Sequence, residues 1–340
     1  MTKNAIPNTP NGYNEIKDSV LSITTTPLIR SYRIHAYMFN LMQNHPTFLN
    51  YVISNYLCLH NKQNNRDYLD FHLDNYFCNM SSLFHDNSWF EIKQFNISSD
   101  EFKNPEAIKH TILRYISQGY YAIHRVNEAY LPHTNYYGGN CINNNEMTFG
   151  YSQQYDSFFV LDYNKDGKFC SSLVNSTDYL KAIKTTTSPI YLNFIKAKKE
   201  IAFCFDQPRA LKLLRCHIDS ITAYPEYKDF SNNLVGYRAI NRSLENMRDE
   251  GYDFIRLMVI KEHKNIVLRY LEYTCANGID DPYFLEQYKI IDKIMENVFM
   301  CAIRDVMNNA SKQTIITRIN SIKELNEKES QLISHYLIKY

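Results

Sequence analysis

The chain reads as an α+β protein, and three observations carry that reading. Short runs rich in Tyr, Ile, Val and Phe lie between Gly119 and Asp162, separated by Asn and Gly clusters, the pattern of consecutive antiparallel strands. Beyond Asp206-Gln207-Pro208 the apolar residues recur instead at helical spacing. The composition, 44% hydrophobic and 14% aromatic with 28 Tyr, is that of a folded domain and not of a disordered chain. At 340 residues it has material for one large core or two ordinary ones.

Taken in order, residues 1–27 are polar with Pro and Asn, which predicts a flexible N-terminal arm. From Pro27 to about Leu59, RIHAYMFNLM and TFLNYVISNYLCL have helical apolar spacing. Residues 65–100 show no clear period. Pro105 suits the first turn of a helix through Ile116, whose inner face is Ala107, Ile108, Ile112, Leu113 and Ile116. The strand block then spans 119–205, with strands over 119–131, 145–151 and 156–163, and later SPIYLNFIKA and KEIAFCF. Pro208 opens a helix carrying Ala210, Leu211, Leu214 and Ile218. A long helix follows over Asp253–Ala276, with Asn277-Gly278 as its stop. Asp281-Pro282 is a cap and first turn for the next helix, whose stripe runs from Leu285 to Val306. A last helix runs from about Lys312 to the end. The expected division is a 28–205 α+β core and a helical 206–340 part packed on it.

Several function classes lose support. The formal net charge of +1 argues against nucleic acid or an anionic membrane as partner. No apolar run approaches the ~20 residues that span a bilayer, and the N-terminus lacks a signal-peptide core; a cytoplasmic location is expected. Eight cysteines stand singly, with no C-x-x-C pair, so zinc-ribbon and thioredoxin-type readings have no basis. There is no G-x-x-x-x-G-K-[ST] loop, and only 9 Gly in all.

The strand pair GYYAI…VNEAYLP, then TFGY…FFVLDYNKDGKF, SNYLCLHNKQNNRDYLDFHLDNYF and RLMVIKEHKNIVLRYLEY resemble the butirosin-biosynthesis-type acyltransferases and their relatives in non-ribosomal peptide and antibiotic clusters. Autonomous amide-forming enzymes of closthioamide-type pathways are similar. The resemblance covers about residues 28–335. It implies a papain-like (cysteine-protease-like) core, and acyl transfer from a carrier-protein thioester to a small amine, with no metal or nucleotide needed. Such chemistry uses a thiolate, a neighbouring base and donors for the oxyanion. The family's His-Cys pair is best matched by His35-Ala36, and its second-strand His by Asn144. Only its third-strand acid is matched, by Asp162.

Two explanations stay open: a different register, or loss of the ordinary triad. On the first, Cys58 is the cysteine of the first helical region, and Cys141 follows Gly138-Gly139, whose N–H groups would serve an oxyanion. Glu146 is a candidate base in place of the His. Each residue has a plainer reading: Cys141 as a loop residue, Glu146 as a solvated carboxylate, Asp162 as a cap for the following NKDG turn, and His124 and His133 as structural. Lys264 shares a helical face with Leu257, Ile260, Leu268 and Leu271, which predicts either snorkelling or a buried pair with a carboxylate of the N-terminal part. The first functional reading is an amide-forming acyltransferase. The second is a catalytically inactive relative that binds a pathway intermediate or carrier protein.

Overall fold

The computed structural model describes residues 19–62, 68–71, 89–186, 191–223 and 233–340. Along the chain the elements are β1 (Ser19–Val20), α1 (Arg33–Met42), α2 (Phe48–Asn55), β2 (Leu59–Lys62), β3 (Tyr68–Phe71), β4 (Phe90–Asn96) and α3 (Pro105–Ser117). Then come β5 (Tyr121–Asn127), β6 (Asn143–Ser152), β7 (Ser157–Tyr163), β8 (Phe169–Asn175), α4 (Ser176–Lys184), β9 (Tyr191–Ala197) and α5 (Gln207–Asp219). The remainder is β10 (Leu234–Val235), α6 (Gly236–Glu250), α7 (Phe254–Ala276), α8 (Pro282–Met307) and α9 (Lys312–Ile338). The protein is therefore mixed α+β, with antiparallel sheets and a helical C-terminal part.

The described residues fall into two compact units. One comprises Met1–Thr26 with Ser88–Lys198, the other Pro27–Asn87 with Lys199–Tyr340. This partition cuts across the 28–205 segment, because the helices and strands after Pro27 belong with the C-terminal helices.

The first unit is built on a seven-stranded sheet in the order β4-β9-β5-β6-β7-β8, with β1 added on β6. The three strands expected over 119–163 are β5, β6 and β7, adjacent and antiparallel. The first is shorter than 119–131, because Glu128–Tyr130 closes into a 3₁₀ turn capped by the Asn127 side chain. Alternation puts Ala122, Val126, Phe158 and Val160 on one face, where Ile108 and Ile112 of α3 and Tyr179 and Ile183 of α4 cover them. Burying each of the Val, Ile and Phe side chains among them is worth about 1.5–3 kcal/mol. The sequence signals for α3 operate as expected: Pro105 sits in the first turn and Asn104 accepts the Glu106 N–H.

Two expectations for this part of the chain need correction. The end of the 1–27 arm is ordered, since Ser19 and Val20 pair with Tyr151 and Gly150, and Leu21 N–H donates to Phe149. Gly150 permits that approach, as a Cβ there would lie 2.8 Å from the Ser19 carbonyl oxygen. KEIAFCF is not a strand. Side chains of the second unit instead take up the Phe203 backbone, its N–H donating to Thr47 and its carbonyl accepting from Asn50, and just beyond the segment Asp206 N–H donates to Ser54.

In the second unit α7 begins on an Asp253 cap and α8 on an Asp281 cap with Pro282 in its first turn. Lys264 is fully buried, but its partner is Glu329 of α9 and not a carboxylate of the N-terminal segment. Tyr237 and Tyr288 hydroxyls also donate to Glu329. The residue that reaches the N-terminal segment is Glu262, which accepts the backbone N–H groups of Arg30 and Ser31 at 2.8 and 3.1 Å. Burial lifts the Glu262 carboxyl pKa to about 7 despite those donors.

Candidate functional site

Within the first unit, the pairing of β5, β6 and β7 lines up polar groups at one end of an apolar sheet face. His124 of β5 stands opposite Glu146 of β6. Met147 pairs with Leu161, so one step further along the ladder Glu146 and Asp162 sit side by side and point to the same face. The 3₁₀ turn after β5 and the Leu131–Thr134 turn, closed by Thr134 donating to Glu128 and Leu131 carbonyls, carry His133 back over them. One ligand atom each of His133, Glu146 and Asp162 lies within 4.8 Å of the others. Among the described residues this is the group of His, Cys and acidic side chains with the spacing to hold a metal ion.

The cluster is dry. Glu146 is 0% and Asp162 1% exposed, and the His133 side chain is 9% exposed. His133 Nε2 and Glu146 Oε1 form a buried ion pair at 3.1 Å, and no donor or acceptor outside the cluster reaches the Glu146 oxygens or the His133 nitrogens. Burial alone would lower the His133 pKa, but the hydrogen bond to Glu146 and the charges of Glu146, Asp162 and Glu128 outweigh it, and the net shift is upward. Asp162 is oriented by the backbone N–H of Tyr163, 2.7 Å from Oδ1. Beside the cluster runs a buried polar line: Tyr179 OH is 2.5 Å from Thr148 Oγ1 and 2.9 Å from His124 Nε2. Burial drives His124 down to about 3, so it is neutral at physiological pH, and lifts the Tyr179 hydroxyl well above its usual value.

The sequence-derived candidates separate here. Glu146 and Asp162 come together, and Glu146 is buried, not solvated. Asp162 does not cap the NKDG turn; Asn164 does, its side chain accepting the N–H groups of Asp166 and Lys168. Asn144 lies two residues before Glu146 on the same strand, paired with Val126. Cys141 is exposed, and its thiol faces Asn143 Oδ1 at 3.7 Å, with no imidazole of the described residues within hydrogen-bond reach. The Gly138-Gly139 amides are not free for an oxyanion, because they donate to the carbonyls of Ala129 and Tyr136. Cys58 is buried in the second unit, and burial raises its thiol pKa well above normal, which disfavours the thiolate. His35 lies beside Asp70, Nε2 to Oδ1 3.0 Å, and Ala36 next to it is fully buried.

His133 is the member that sequence reading sets aside. Its neighbours Leu131-Pro132-His133-Thr134 have no strand or helix period, so only the turn that closes in three dimensions places it. Glu128 lies within the 119–131 segment read as strand and is carried instead by the 3₁₀ turn after β5. Both carboxylate-bearing strands carry the Tyr/Phe/Val pattern that does disclose them.

No protein-family profile matches this chain, and no curated protein matches it in sequence.

Proposed function

We propose that this chain is an amide-forming acyltransferase of papain-like descent, in which the His133–Glu146–Asp162 cluster has taken over from a thiolate. The observation that carries the reading is the meeting of Glu146 and Asp162 on adjacent strands with His133 above them, at the end of the sheet where the resemblance expects an imidazole and an orienting acid. The adjacent antiparallel β5, β6 and β7 support the papain-like assignment of this half of the protein.

In this reading a carrier protein delivers the acyl group as a thioester and a small amine attacks it directly. The C–N bond forms, the C–S bond breaks with its electron pair passing to sulfur, and the proton lost by nitrogen ends on the departing thiolate. Thioester aminolysis is downhill, so no nucleotide is consumed. A carboxylate of the cluster relays the proton, and positioning supplies much of the remaining acceleration. The Cys141 environment supports the non-covalent route, because its thiol faces an amide oxygen and not a base that would take its proton.

The test is incubation with an acyl-loaded carrier and a panel of primary amines, followed by mass spectrometry. Amide product from wild type and from Cys141→Ala, with no acyl adduct on protein, is the expected result. A covalent adduct that disappears in one Cys→Ala variant would replace this mechanism with the thiolate one. The rival reading, an inactive relative that binds the loaded carrier or an intermediate, is favoured by the lack of a thiol–imidazole pair among the described residues. It wins if the carrier binds and no amine panel member yields product.

A further inference from the structure

We infer that His133, Glu146 and Asp162 form a binding site for one divalent cation of the Mn²⁺ type. The proposal goes beyond acyl transfer and stands or falls separately from it.

The first ground is geometry. Ligands around a single cation at ~2.0–2.2 Å lie roughly 3–4.5 Å from one another. The three side chains already offer one donor atom each within 4.8 Å, so a small inward closure completes the set. The second ground is independent of that spacing. Glu146 is completely buried, and apart from His133 within the cluster no donor reaches either of its oxygens. Its ion-pair partner, His133, is itself a cluster member, and His133 Nδ1 has no hydrogen-bond partner. A buried carboxylate left this way is costly, and buried charges are ordinarily paired or bound to metal. His133 brings at most one positive charge against the two carboxylates of the cluster. A dication restores the balance.

The donor set also narrows the metal. Two carboxylates and an imidazole, with no thiolate among them, suit Mn²⁺ and its hard or borderline neighbours and do not select soft metals. The Tyr163 N–H that fixes Asp162 Oδ1 is the kind of outer contact that orients a ligand carboxylate. Carboxylates bound monodentately would each keep a second oxygen, so the proposal is compatible with proton relay from the same cluster.

The test uses the full chain after EDTA treatment, titrated with Mn²⁺ and followed by electron paramagnetic resonance. One saturable site is expected, with affinity at least tenfold weaker in Glu146→Gln and Asp162→Asn and unchanged in Cys141→Ala. Spin-echo spectra of the bound Mn²⁺ should show nitrogen modulation from His133, which wild-type protein reports without any variant having to fold. Mn²⁺ should also raise the melting temperature of wild type. The inference is overturned by the absence of a saturable site, by bound Mn²⁺ without nitrogen modulation, or by wild-type affinity in a folded Glu146→Gln protein. Amide formation by protein that binds no Mn²⁺ sinks this inference alone. Saturable Mn²⁺ binding without amide formation upholds it and removes the acyl-transfer reading.

Discussion

Glu146 and His133 face each other at 3.1 Å across a buried sheet end, one delivered by the middle of β6 and the other by an irregular turn. This pairing makes Glu146, and not Cys141, the residue on which activity should depend. With acyl-loaded carrier and an accepted amine, Glu146→Gln should lower amide formation about 10²–10⁴-fold, the range of a lost proton-transfer group. Cys141→Ala should stay within about twofold of wild type, roughly the spread of exposed substitutions. Circular dichroism of both proteins separates lost chemistry from lost fold. Equal activity in the two variants would refute the assignment.

Lys264 and Glu329 are buried partners on α7 and α9. Lys264→Met removes the cation but leaves a buried carboxylate whose donors are then the Tyr237 and Tyr288 hydroxyls. Breaking a buried pair from one side costs ~3–5 kcal/mol, which thermal melts should record as a loss of several degrees. Replacing both partners, Lys264→Met with Glu329→Leu, should recover most of that loss, since no uncompensated charge remains. A double variant less stable than either single one would contradict this account.

Glu262 gives a pH dependence with a definite sign. Its carboxyl titrates at about 7 in the folded protein and at about 4.3 in an unfolded chain. Between those values the folded state holds the proton that the unfolded state has lost, so stability falls as pH rises through this window and levels off above it. The penalty is on the order of 3 kcal/mol when fully developed. Glu262→Gln removes the titration while keeping an acceptor for the Arg30 and Ser31 N–H groups. Its melting temperature relative to wild type should therefore climb between about pH 5 and pH 8. Parallel profiles for the two proteins would show that Glu262 does not titrate in this range.

Gly236 opens α6 with φ +58°, and a Cβ placed on it would lie 1.9 Å from the His217 carbonyl oxygen. The obstacle is backbone and cannot rotate away. Left-handed strain alone costs a non-glycine residue about 1–2 kcal/mol, and the clash adds to it. Gly236→Ala should destabilise the protein by more than Gly251→Ala, where φ is +100° but nothing lies within 4 Å of the added carbon. Denaturant midpoints of the two variants compare the effects directly; a smaller shift for Gly236→Ala would count against the close approach of the His217 carbonyl.

How much of this is legible in the chain follows from the range of the forces involved. Helix starts at Pro105, Asp253 and Asp281 are readable because caps and first-turn prolines act within a few residues. Strands β5 to β7 are readable because alternation and Asn/Gly breaks are local as well, and with them the candidacy of Glu146 and Asp162. What tertiary structure alone decided is which groups meet. Strand register set Glu146 beside Asp162, and a turn with no periodicity laid His133 on both. The same holds for Lys264, whose burial its helical face announces but whose partner, Glu329, depends on how α9 packs. KEIAFCF is no strand, and distant Thr47 and Asn50 take up the backbone N–H and carbonyl of its Phe203. Sequence patterns encode what a segment prefers by itself; partnerships between buried polar groups arise from long-range pairing, where one residue of register decides who faces whom.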